Sequence, residues 1–224
     1  MLRSVKIMSF MEVDAQDGQL GHISDVYFSD KTWRLEYLVI DTGTLLPGRK
    51  SLISPAEINE ITFSRTKLKL KKENIRQAPE ISHVLPVSRA HERELRYFYG
   101  WPVESELEKK DFVEGDENPD LRSFEEVKGY HLFYDEGEIG RVDDFIVEDE
   151  DWKLNFTVVD TAKWLPAGQI LVPQHNVSSI DWLQKKVFVN MSREEIENSP
   201  EYNPDEPVNK VFEEQLYDFY GRPK

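Results

Sequence analysis

Cysteine is absent from all 224 residues. Its absence excludes disulfides, thiolate nucleophiles and cysteine metal sites, and fits a reducing compartment; the expected location is cytoplasmic. Long apolar runs are missing as well. Nothing approaches the ~18 uncharged apolar residues of a membrane-crossing helix, so no integral membrane segment is expected. The opening MLRSVKIMSFMEVDAQD turns acidic at Glu12 and lacks the apolar core of a signal peptide. Histidine is scarce, and His22, His83, His91, His131 and His175 stand in no metal-ligand spacing. No GxxxxGK[ST] or GxGxxG phosphate loop and no GxSxG elbow occurs. These gaps argue against an enzyme. No catalytic, cofactor-binding or metal-binding residue is assigned, and no small-molecule substrate is evident.

Positive charge runs short in one half only. Residues 1–112 hold 17 Lys+Arg against 17 Asp+Glu, whereas residues 113–224 hold 11 against 26 and carry the whole net charge of −15. A surface that acidic repels phosphate backbones, which argues against nucleic acid as a ligand.

What the chain does contain, it contains twice. WRLEYLVIDTGTLLP (33–47) returns 119 residues later as WKLNFTVVDTAKWLP (152–166). From Gly21 to Pro47, 10 of 27 positions match their partners at 140–166. Repetition at this fidelity predicts one substructure built twice. In the first copy Trp33, Leu35, Tyr37 and Val39 fall two apart, one face of a strand; Trp152, Leu154, Phe156 and Val158 keep the pattern. The opposite face turns apolar at Leu38 and Ile40, so the strand's end is expected to be covered on both sides. With the tryptophans placed in the core, truncating either to alanine is expected to cost about 3–5 kcal/mol.

Around this strand the motifs keep one order. LRS opens each repeat at Leu2 and at Leu121. DGQLG (17–21) and EGEIG (136–140) read as glycine turns, followed by strands HISDVYF (22–28) and RVDDFIV (141–147). Asp25 and Asp144 lie amid their apolar residues, where an aspartate bonds nearby backbone or marks a bulge. Ser29–Thr32 and Glu148–Asp151 read as hairpin turns; the acidic run of the second has no spaced calcium-loop ligands. Asp41 and Asp160 end the central strand, as Asx-type turn caps in preference to catalytic carboxylates. The apolar loop residues Leu45, Leu46, Trp164 and Leu165 are expected to plug a barrel end, with a contact surface as the other reading. SLISPAEINEI (51–61) and ILVPQHNVSSI (170–180) read as strand, proline break, strand, and KLKLKK (67–72) and KVFVNM (186–191) as closing strands. The lysines of the first suit a charged sheet edge, or else a basic binding patch.

Each repeat ends in an amphipathic helix, SRAHERELRYFYGWP (88–102) and NKVFEEQLYDFYGRP (209–223). Ser88 and Asn209 suit N-caps, and Gly100 and Gly221 suit the left-handed position after the last turn. Helices this short need an apolar platform, with the Leu38/Ile40 patch or its counterpart in the other repeat as candidates. Glu104–Asp120 reads as an acidic linker.

In this order, G-x-x-I/L-G, an Asp-bearing strand, W-x-L-x-aromatic-x-V-x-D-T and the Leu-Pro loop resemble the PRC-barrel family. That family includes the cytoplasmic domain of the photosynthetic reaction centre H subunit and a domain of a ribosome maturation factor. The resemblance covers about 1–80 and 121–195. It implies small, highly curved β-barrels, found in bacteria, that act by binding other macromolecules. The expected class is therefore mainly β with accessory helices: PRC-barrel repeat 1 over 1–80, helix and acidic linker over 81–120, repeat 2 over 121–195, and a helical appendage over 196–224. The chain lacks the H subunit's transmembrane helix and the ribosome factor's second domain, so no functional residue is carried over. The expected function is a non-catalytic protein-interaction or scaffold module with a protein partner or self-association. Two rivals stand beside it: a peripheral component of a membrane-bound photosynthetic or electron-transfer assembly, and an enzyme with a site between the repeats built around Asp41, Asp160 and His175.

Overall fold

A computed structural model describes residues 1–43, 50–79, 87–103, 120–161, 168–206 and 208–221. The loop residues Leu45, Leu46, Trp164 and Leu165, the linker up to residue 119, and His83 lie outside the described residues. In chain order the first repeat supplies β1 (Leu2–Ser4), α1 (Val5–Met8), β2 (Glu12–Ala15), β3 (Gly18–Ser29), β4 (Arg34–Asp41), β5 (Lys50–Ile53), β6 (Ile58–Ile61), β7 (Arg65–Leu68), α2 (Lys72–Gln77) and α3 (Arg89–Tyr99). The second supplies β8 (Leu121–Ser123), α4 (Phe124–Val127), β9 (His131–Tyr134), β10 (Gly137–Glu148), β11 (Leu154–Asp160), β12 (Gln169–Pro173), β13 (Val177–Asp181), β14 (Lys186–Val189), α5 (Arg193–Glu197) and α6 (Lys210–Tyr220). The protein is mainly β.

Two seven-stranded sheets of the same topology result. One runs β5-β4-β3-β2-β7-β6 with β8 beside β3, the other β12-β11-β10-β9-β14-β13 with β1 beside β10. Only β2–β7 and β9–β14 pair in parallel among the described strands. The chain forms two compact units, residues 8–123 and residues 1–7 with 124–224. Each unit thus takes one short strand, LRS, from the repeat that builds the other.

β3 and β10 are single strands of 12 residues, not a glycine turn followed by a shorter strand. Gly18 and Gly137, at φ +124° and +154°, make the turn. Gly21 and Gly140 instead mark a close crossing. A Cβ there would lie 1.9 Å and 2.0 Å from the carbonyl oxygens of Asp41 and Asp160. The ladder to β4 shifts register between Ile23 and Asp25 and again between Tyr27 and Phe28; β10 repeats both shifts. Such bulges bend and twist a strand, letting one long element pair with β2 along its first half and β4 along its second.

The central strands are buried as their pattern predicts. Tyr37, Leu38, Val39 and Ile40 are consecutively buried, as are Phe156 to Val159, so both faces are covered. One cover is the helix. Leu95 of α3 joins Tyr37, Val39 and Leu52; Leu216 of α6 joins Phe156, Val158 and Leu171. The helices therefore dock on the Tyr37/Val39 face, not on the Leu38/Ile40 patch.

The tryptophans correct a second expectation. Trp33 and Trp152 precede the strands, at φ +54° and +59°, as the left-handed residues closing the hairpin turns. Their backbone amides bond Ser29 and Glu148 carbonyls, both at 2.8 Å. Trp33 is half-buried and stacks on Phe28 with ring centres 5.7 Å apart. The turn dictates their backbone, and the indole only partly enters the core. β7 also departs from expectation, because it lies inside the sheet between β2 and β6. Its Lys67 points outward to Glu60 at 2.8 Å, while Thr66 and Leu68 face inward.

Candidate functional site

Asp25, Asp30, Asp41, Asp144 and Asp149, aspartates that recur in both copies, are engaged in hydrogen bonds. Asp41 Oδ1 accepts the Gly43 amide at 2.8 Å, the Asx turn its position predicts. The neighbouring Thr42 and Thr161 are each 1% exposed, and Thr161 bonds the Gly168 carbonyl through its amide (2.7 Å) and hydroxyl (3.2 Å). Asp160 is exposed at the end of β11, and His175 is exposed in a short turn after β12. Asp41 belongs to one unit, Asp160 and His175 to the other.

Asp25 and Asp144 sit at the bulges and are buried. Asp25 Oδ1 accepts from the Val26 amide at 2.8 Å, and Asp144 Oδ1 from the Phe145 amide at 2.7 Å. Their second oxygens accept the hydroxyls of Ser123 and Ser4, the last residues of β8 and β1. The Lys6 amide adds a bond to Asp144 at 2.8 Å. Burial nevertheless pushes the Asp144 carboxyl up to about 6, the loss of hydration outweighing the three donors. A local backbone bond and a bulge were legible in the sequence. The serine, 98 residues away from Asp25 and 140 from Asp144, was not.

The two helices are fastened differently. In the 8–123 unit, Tyr37 Oη donates to Glu92 Oε1 at 2.7 Å and accepts from Arg96 Nε at 2.7 Å. Arg96 also reaches Glu36 (3.2 Å) and the Pro102 carbonyl (2.9 Å), and Trp101 Nε1 donates to Glu57 at 2.7 Å. Glu92 is 2% exposed, so the charge is buried but paired. Burial, with the Glu92 carboxylate next in weight, raises the Tyr37 hydroxyl well above its ordinary value and keeps it protonated. In the other unit Phe156 and Tyr217 stand at the positions of Tyr37 and Arg96 and meet ring to ring at 6.1 Å. Three of the four caps follow the sequence: Ser88 and Asn209 accept the His91 and Phe212 amides, and Gly100 is left-handed at φ +71°, whereas Gly221, at φ +82° and ψ 155°, lies outside the left-handed helical region.

Outward, the same helices expose apolar groups. Tyr97 and Phe98 on α3 are 64% and 42% exposed, Val211 and Phe219 on α6 66% and 39%. Exposed Glu214 and Asp218 lie among the α6 pair. Phe98 and Phe219 occupy equivalent positions and lean edge-on against Tyr99 and Tyr220, with centroids 5.0 Å and 4.7 Å apart.

Among the described residues, no three His, Asp or Glu side chains converge as a metal ion requires. His131 pairs with Glu138 at 2.7 Å, and His22 and His91 are exposed. In the acidic turn, Asp149 holds Arg3 at 2.7 Å and Asp151 accepts the Lys153 amide at 3.0 Å. No helix among the described residues is long and apolar enough to cross a membrane.

Neither a family model nor a curated protein matches this chain.

Proposed function

We propose that the protein is a non-catalytic, cytoplasmic interaction module of two PRC-type barrels that binds a basic protein partner. One observation carries this reading. Both docked helices present apolar side chains to solvent, with Phe98 and Phe219 at the same place in each, and those of α6 lie in an acidic field. Exposed apolar groups ringed by charge are typical of protein contact surfaces. The net charge of −15 favours a cationic partner over nucleic acid and speeds its approach at low salt. The motif order supports the barrel assignment, and Asp25, Asp41 and Asp144 are occupied with backbone and serine contacts.

The test is affinity capture from the source cell with the full chain and with the Phe98→Ser/Phe219→Ser variant. Basic proteins held at 50 mM salt, released at 500 mM and lost with the variant are the expected result. Identical capture by both forms, or capture indifferent to salt, rejects the reading.

A further inference from the structure

Each sheet is completed by a strand that its own repeat does not supply. Leu2, Arg3 and Ser4 lie opposite Glu148, Val147 and Ile146; Leu121, Arg122 and Ser123 lie opposite Ser29, Phe28 and Tyr27. The same three side chains do the same three tasks. Leu2 enters the cluster of Ile146, Phe156, Val158 and Leu171, and Leu121 that of Tyr27, Tyr37, Val39 and Leu52. Arg3 Nε donates to Asp149 at 2.7 Å, and Arg122 Nε to Asp30 at 3.1 Å. Ser4 Oγ donates to Asp144, and Ser123 Oγ to Asp25 at 2.5 Å. Even the preceding carbonyls match: Met1 O accepts the Asp149 amide at 3.0 Å and Asp120 O the Asp30 amide at 2.9 Å. Of the flanking residues Met1 and Asp120 differ, while Val5 and Phe124 are both apolar and fully buried. Recognition therefore lies in the edge, in three side chains and in an apolar residue after them.

We infer that the edges at Ile146–Glu148 and Tyr27–Ser29 are strand-accepting grooves for an extended Leu-Arg-Ser segment, and that the partner each fits is that segment from a second copy of this chain. The backbone adds a strand while the side chains set the sequence read, a leucine in an apolar slot flanked by an arginine on a carboxylate and a serine on a buried one. In this chain every groove already takes its strand from a repeat other than the one that builds it, so exchange between copies requires no new contact. Covalent connection gives the internal strand an effective concentration of the order of millimolar, which keeps micromolar wild-type protein closed on itself. A groove deprived of its internal strand is open to one from outside.

The test uses the full chain carrying Leu2→Asp/Ser4→Ala, which disables β1 and leaves its groove intact, and a labelled peptide of residues 1–7, MLRSVKI. Saturable binding with a rise in melting temperature is expected, at least tenfold weaker for the same peptide carrying Arg3→Asp/Ser4→Val, and at least a hundredfold weaker for wild-type protein. Equal binding of both peptides, or no binding to the folded variant, overturns the proposal. If the variant does not fold, wild-type protein with a protease site inserted between residues 104 and 119 decides. After cleavage, two fragments that co-elute and trade places with an isotope-labelled cleaved copy sustain it. Fragments that elute separately under native conditions overturn it.

Discussion

Gly21→Ala tests the claim that β3 passes against β4 with no room for a side chain. The new Cβ would fall 1.9 Å from the Asp41 carbonyl oxygen. A carbon and a carbonyl oxygen in ordinary contact stand about 3.3 Å apart, a shortfall of roughly 1.4 Å. The obstacle is backbone and cannot rotate away, so β3 must part from β4 where His22 pairs with Asp41. Overpacking of this kind costs about 1–3 kcal/mol, and leaving a ladder group without its partner about 1–3 more. Alanine's stiffer unfolded chain returns about 0.4–1. The net expectation is about 3–4 kcal/mol. Gly43→Ala is the control: its Cβ meets nothing within 4 Å, but φ is +52°, a left-handed conformation costing about 1–2 kcal/mol. Urea denaturation followed by tryptophan fluorescence should move the Gly21→Ala midpoint by more than 1 M and the control by much less. Equal shifts would refute the crossing as the reason for this glycine.

Other outcomes follow from the same structure. Arg96→Met should cost about 3–5 kcal/mol by stranding the Glu92 charge, whereas Glu92→Leu/Arg96→Met should recover most of it; denaturation midpoints compare the two. Trp33→Ala should cost only about 1–2 kcal/mol, since the indole is half-buried, and Trp33→Gly should be more stable than Trp33→Ala by about 1 because glycine relieves the left-handed backbone. Asp144 has a folded value near 6, above its ordinary 3.8, so its stabilising effect is complete below pH ~3.8 and fades as pH rises through 6. Melting curves should therefore show Asp144→Asn gaining on wild type between pH 4 and 7, by about 3 kcal/mol at most.

The strands, the proline breaks, the helix caps and the doubly buried end of the central strand were legible because each leaves a local signature. Alternation at Leu35, Tyr37 and Val39 needs no knowledge of the rest of the chain. Trp33 reads as a strand residue because the two-residue period continues past the strand's first residue and nothing in it records the sign of φ. Gly21 reads as a turn residue from composition alone, since a close crossing depends on where Asp41 arrives. Lys67 looked like a sheet edge because β7 gains its second neighbour, β2, from more than fifty positions away. The destination of the Leu-Arg-Ser strands was the least legible part of the site. A motif repeated at the head of two repeats reads as belonging to each, and only the partners Asp149 and Asp30 reveal the crossing.

That crossing sets a timetable for synthesis. Arg3 meets Asp149 only when 146 further residues have been made. At about 5–20 residues per second, the wait is of the order of ten seconds. Until then the Leu2–Ser4 strand has no berth, and a newly made first sheet lacks its last rung until Leu121 emerges. Over that interval first a strand and then a sheet edge of a nascent chain is open to capture by its neighbours on the same messenger.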